Sequence, residues 1–153
     1  MFSEKWDRRF LGLAAYVAQW SKDPSTKVGA VIVRPDKTVA SLGFNGFPRG
    51  AKDDEALYAD REWKYAHIIH GEVNATVHAR EPVAGYALFT WPMMPCIRCA
   101  PIIIQAGIRL FVCPHASEDA LSRRWGDDGA REYIQECGGR VLEIGVPEDF
   151  LPK

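Results

Sequence analysis

The chain has 153 residues, 47% hydrophobic and 25% charged, the balance of one globular domain over residues 1–153. With 19 Lys and Arg against 20 Asp and Glu the formal net charge is -1, which excludes a bulk cationic field for gathering polyanions. No apolar run reaches the ~18 residues of a membrane span, and MFSEKWDRRF lacks the apolar core of a signal peptide, so a cytoplasmic protein with no membrane partner is expected.

Residues 4–20 place Trp6, Phe10, Leu13, Ala14, Val17 and Trp20 near a 3.6-residue repeat, which predicts a first helix ended by the segment 21–26 with Pro24. Residues 27–33 (KVGAVIV) and 38–43 (TVASLG) read as two strands around the turn Pro35-Asp36-Lys37. The stretch 44–65, with Gly46, Pro48, Gly50 and a mixed charge cluster, predicts a loop and an exposed helical segment. A helix follows Gly71 and closes before Pro82 and Gly85, and a third strand covers 86–91. Residues 99–106 (CAPIIIQA) read as an apolar helix capped by Gly107, and 109–113 as a short buried strand. Residues 117–137 look helical in one or two pieces, a last strand spans 140–144, and 147–153 reads as a surface extension. Helices alternating with strands over the second half allow parallel crossovers, so the expected fold is α/β: a three-layer α/β/α sandwich with a mixed five-stranded sheet.

Chemistry concentrates in H-x-E at His70 and Glu72, followed by P-C-x-x-C at Cys96 and Cys99, the signature of zinc deaminases. Two thiolates three residues apart at a turn entering a helix can face one ion, and an imidazole at another helix start supplies a third ligand. Three protein ligands leave one position open for water, whose pKa falls toward ~7, the mark of a catalytic zinc. Glu72, two residues after His70, is placed to shuttle the proton as base and then acid. The alternatives are a redox C-x-x-C pair, or a structural zinc completed by Cys113, His78, His67, His115 or Cys137. No second C-x-x-C or H-x-x-x-H supports the latter; Cys113 reads as strand core and Cys137 as helix-end packing.

DPSTKVGAVIV at 23–33, GFNGFPRG at 43–50 and HGEVNA at 70–75 resemble the deoxycytidylate (dCMP) deaminases of the cytidine deaminase superfamily, from about Trp6 to about Ile144. The resemblance implies a cytidine deaminase-like fold, zinc, and attack at C4 of the pyrimidine to give dUMP and ammonia. By the same resemblance Asn45 bonds the sugar and the backbone N–H of Gly71 meets the pyrimidine carbonyl. Lys27 and Arg49, flanking the first strand and the substrate loop, are candidate donors to a single phosphate. A homo-oligomer is expected, with Trp63, Tyr65, Ile68 and Ile69 as core or subunit interface, and control by nucleoside triphosphates is implied.

Three departures from the family pattern stand out. Gly71 replaces the usual alanine, Trp91-Pro92-Met93-Met94 is a bulky stretch beside the expected base pocket, and Pro101 requires the helix to start near Cys99 or bend. Some members bind a second, structural zinc through extra cysteines; Ser21 and Ala51 stand in that neighbourhood, so one zinc is expected. The competing functions are deamination of another nucleobase or nucleotide, including adenosine in tRNA, and a noncatalytic zinc-stabilised interaction module. A polynucleotide partner would need a cationic track, for which only Arg8-Arg9 and Arg123-Arg124 offer themselves. The carboxylate of Glu72 has no use in a purely structural site.

Overall fold

The computed structural model describes residues 2–115, 129–147 and 150. Five strands, β1 (Gly29–Val33), β2 (Val39–Phe44), β3 (Ala87–Trp91), β4 (Leu110–Pro114) and β5 (Arg140–Ile144), form one sheet in the order β2-β1-β3-β4-β5. β1 runs antiparallel to both β2 and β3, whereas β3, β4 and β5 are mutually parallel. The helices are α1 (Glu4–Ala18), α2 (Glu55–Ala59), α3 (Arg61–His67), α4 (Gly71–His78), α5 (Ala100–Gln105) and α6 (Ala130–Glu136).

Alternation along each strand divides the core between the two sheet faces. On one face Val31, Val33, Phe89 and Val112 pack against Phe10, Leu11 and Ala14 of α1. On the other, Ala30, Ile32, Leu88 and Phe111 meet Ala75 of α4, Ala100 and Ile103 of α5 and Ile134 of α6. β1 is buried at all five positions, as expected of a central strand covered on both faces. These are the expected three layers, and the strands match their sequence-predicted positions to within two residues. Gly43 is required by the packing: a Cβ there would lie 2.3 Å from both Ala75 N and Gly71 O, so α4 rests on β2 backbone to backbone.

The excursion between β2 and α4 departs from expectation. It forms two short helices, with Asp54 accepting from the Ala56 N–H and Asp60 from the Trp63 N–H as N-caps. It is tied down rather than exposed throughout. Tyr58 is buried with its ring 4.4 Å from that of Phe47, and Lys64 is buried with its ammonium turned inward to Asp23. Ile68 is also buried, and Trp63 packs edge-on against Phe47. From the predicted tail, Phe150 stacks on Trp91 at 5.7 Å, so it belongs to the α1-side core. The helical expectation over 117–128, including Arg123 and Arg124, lies outside the described residues.

Candidate active site

Two helix starts meet above the carboxyl end of β3. His70 is the N-cap of α4, in extended conformation, so its side chain and that of Glu72 leave the first turn toward the sheet. β3 passes into the turn 92–99, where the N–H groups of Cys99 and Ala100 both donate to Cys96 O at 3.0 Å. This tight turn aims both thiols the same way. Cys99 is the N-cap of α5 and Pro101 lies in the first turn, where a missing N–H costs no intrahelical bond. The helix therefore starts at Cys99, one of the two outcomes that Pro101 permits.

The donor atoms form a triangle. His70 Nδ1 is 3.4 Å from Cys96 Sγ and 3.2 Å from Cys99 Sγ, and the sulfurs are 3.6 Å apart. A tetrahedral zinc with bonds of about 2.3 Å to sulfur and 2.0–2.1 Å to nitrogen spaces such donors about 3.5–3.8 Å apart, so one nitrogen and two sulfurs here fit that ion. Among the described residues no other group of three or more His, Cys, Asp or Glu side chains converges in this way. The hydrogen bond shared by the two thiols favours a single negative charge on the pair. Cys96 is held well below the ordinary thiol value by its hydrogen bond with Cys99, against the upward push of burial and with further help from His70. Cys99 is driven well above the ordinary thiol value by Cys96 and by burial. The hydrogen bond with Cys96 raises His70.

Glu72 stands beside the triangle without joining it. It is 2% exposed, and its Oε2 has no hydrogen-bond partner. Burial raises its carboxyl to about 7, against the opposing pull of His70, which puts it in the range where one group can both accept and return a proton at neutral pH. An unpaired buried carboxylate destabilises a fold, so its retention next to metal donors fits a chemical role.

The expected substrate contacts are distributed unequally. Asn45 is buried and its amide holds the start of β1: Oδ1 accepts from the Val28 N–H at 2.8 Å and Nδ2 donates to Thr26 O at 2.9 Å. Ser21 Oγ donates to Asn45 O at 2.8 Å. Gly71 opens α4, in the turn whose N–H groups lack intrahelical acceptors; a Cβ there would sit 3.1 Å from Val28 O and 3.3 Å from Phe44 Cα. The missing methyl thus matches a close approach of the 28 and 44–45 backbones. Lys27 and Arg49 are exposed and make no ion pair among the described residues.

Of the bulky stretch before Pro95, Trp91 packs with the α1-side core, while Met94 packs on the site side near Arg131, whose Nη2 is 3.8 Å from Met94 Sδ. Cys113 is buried in β4, its thiol pushed up to about 12 by burial and by Glu143 against the pull of Arg131. Cys137 caps α6. His67 stacks on Trp63 at 4.0 Å and His115 pairs with Glu143 at 3.2 Å, so neither supplies a fourth metal ligand. Sequence reasoning missed the buried Asp23, Lys64 and Thr90; the one signal for Thr90 was a lone hydroxyl inside an otherwise apolar strand.

Comparison with known proteins agrees with this geometry. The family model for the cytidine and deoxycytidylate deaminase zinc-binding region matches residues 4–115. A protein of Aliivibrio fischeri named as an uncharacterized deaminase in the luxG 3′ region is 43% identical over 148 residues, covering 97% of this chain and 95% of the relative. Human deoxycytidylate deaminase is 32% identical over 154 residues, covering 92% and 86%. The crystal structure of dCMP deaminase from the cyanophage S-TIM5 in complex with dCMP and dUMP shares the fold, with a TM-score of 0.72 at 22% identity over 94% of this chain and 99% of that one. The fold, the His-Cys-Cys triangle and a family match over residues 4–115 lead to one assignment: the chain belongs to the cytidine and deoxycytidylate deaminases of the zinc-binding type.

Proposed function

We propose that the chain is a single zinc-dependent deaminase domain, residues 1–153, that hydrolyses deoxycytidine monophosphate to deoxyuridine monophosphate and ammonia. The observation that carries the reading is the buried, partnerless Oε2 of Glu72 beside three converging zinc donors. Relatives that are named deoxycytidylate deaminases and align over most of the chain support the substrate.

Held by His70, Cys96 and Cys99, zinc supplies the activation of water at neutral pH. Glu72 takes one proton from water and passes it to N3 of the pyrimidine as the water oxygen bonds to C4, then takes the remaining hydroxyl proton and delivers it to the amine as the C4–N4 bond breaks and the C4 carbonyl forms. The balance is dCMP and water giving dUMP and ammonia. Gly71 offers its N–H to the pyrimidine carbonyl, a role supported by its place in the first turn of α4. Asn45 keeps one carbonyl lone pair beyond its bond from Val28 and can use it toward a sugar hydroxyl. Lys27 and Arg49 are assigned to the phosphate, supported by their exposure and by the bonds of Asn45 to Thr26 and Val28 on either side of Lys27. A cytoplasmic setting suits thiolate ligands, which a reducing compartment protects from disulfide formation. Homo-oligomerisation belongs to the same proposal, supported by the mutually packed, exposed Tyr16, Trp20 and Phe44.

The test is ammonia release from dCMP, deoxycytidine, cytosine, and a tRNA or single-stranded DNA. The highest kcat/KM is expected for dCMP. Lys27→Ala and Arg49→Ala should each raise KM for dCMP and leave zinc content unchanged. Equal efficiency on the nucleoside would remove the phosphate contacts, and preference for the polymer would replace the substrate class.

A further inference from the structure

The sheet face beneath the site changes character at the carboxyl ends of the parallel strands. From β1 to β5 one row is apolar: Ile32, Leu88, Phe111 and Val141 are register partners in turn, and Ser41 of β2, beyond Ile32, spends its hydroxyl on Ala75 O. The next row toward the site holds Ala30 opposite Thr90 and Cys113 opposite Glu143, with Thr90 beside Cys113 by continuation of the parallel pairing of Phe89 with Val112. Thr90 is 1% exposed, and its Oγ1 has no hydrogen-bond partner. Valine fills the same volume and suits a strand better, without the cost of an unpaired buried hydroxyl.

Glu72 Oε2 is likewise buried without a hydrogen-bond partner. Glu72 and Ala75 are three residues apart and so share one face of α4. Ala75 packs in the same cluster as Ala30, and Ala30 is the register partner of Thr90. Glu72 therefore shares the α4 face that covers β1, the strand whose Ala30 pairs with Thr90. We propose that Thr90 is a positioning residue for Glu72, its hydroxyl bridging through one water to the carboxyl and fixing the direction in which that carboxyl faces the base. A hydroxyl donates to a carboxylate and accepts from a carboxylic acid, so one side chain can hold Glu72 before and after it takes a proton. The inference rests on Glu72 being the proton shuttle of the proposed reaction.

The experiment compares the wild type, Thr90→Val and Thr90→Ser with dCMP as substrate, alongside zinc content and thermal melting. Wild-type turnover of dCMP is read first, and its absence would count against the proposed reaction itself. Thr90→Val should lose at least ~10-fold in kcat with KM within ~2-fold, one zinc per chain, and an unchanged or higher Tm. Thr90→Ser, which keeps the hydroxyl, should recover kcat to within ~3-fold of the wild type. Wild-type kcat in Thr90→Val, or an equal loss in both variants, would overturn the proposal. Zinc loss or a lowered Tm in Thr90→Val would also overturn it, by assigning the hydroxyl to stability.

Discussion

Lys64 Nζ lies 3.3 Å from Asp23 Oδ1 with both side chains more than nine-tenths buried, joining α3 to the loop that precedes β1. The same ammonium donates to Ser25 Oγ at 2.7 Å, and Asp23 Oδ1 also accepts from the Ser25 N–H at 2.9 Å. Breaking such a pair on one side leaves a buried charge uncompensated. Lys64→Met should therefore cost about 3–5 kcal/mol, while the double variant with Asp23→Asn should recover most of that loss. Denaturant unfolding of the four proteins of this cycle measures both numbers.

Asp23 also sets an acid limit. Burial pushes its carboxyl up, but the hydrogen bonds from the Ser25 N–H and hydroxyl, the charge of Lys64 and the Thr26 N–H together hold it below its ordinary value of 3.8. A carboxyl lowered on folding contributes stability that is complete above its unfolded pKa and is lost as pH falls through the lowered folded value. Stability should accordingly drop below about pH 4. The slope should be shallower in Asp23→Asn/Lys64→Met, as read by melting temperature against pH.

Glu72→Gln keeps the shape of the side chain and removes the proton carrier. Turnover of dCMP should fall at least ~100-fold, with zinc content intact and an unchanged or higher Tm, since a charge without a partner is no longer buried. Steady-state kinetics and metal analysis on one preparation decide it; undiminished turnover would require another shuttle.

Zinc analysis should give one ion per chain in the wild type. Cys96→Ser and Cys99→Ser should lose most of the metal and all measurable activity, whereas Cys113→Ala and Cys137→Ala should keep both. Close to two ions per chain, or full zinc retention in Cys96→Ser with unchanged activity, would contradict the site.

The strands and the metal donors were legible because both depend on short-range order. Runs such as AVIV in β1 and the spacing C-x-x-C carry their meaning within a few residues. Features set by distant partners were not legible. Lys64 sits in a charged stretch that reads as solvated, and only the folding of α3 over the loop carrying Asp23, 41 residues away, turns its ammonium inward. Trp91 and Met94 look alike as bulk before Pro95, yet they face opposite sides of the sheet. Thr90 looks like an ordinary strand residue until the register shows which row it occupies.

The contact at Gly43 bears on how the protein should lose activity on heating. Because the first turns of α4 lie on β2 with main chain against main chain, no side chain between them can change rotamer and let His70 and Glu72 drift. Their placement has the stiffness of the peptide backbone itself. Heat inactivation and global unfolding should then coincide in temperature, with no interval in which a folded protein has already gone silent.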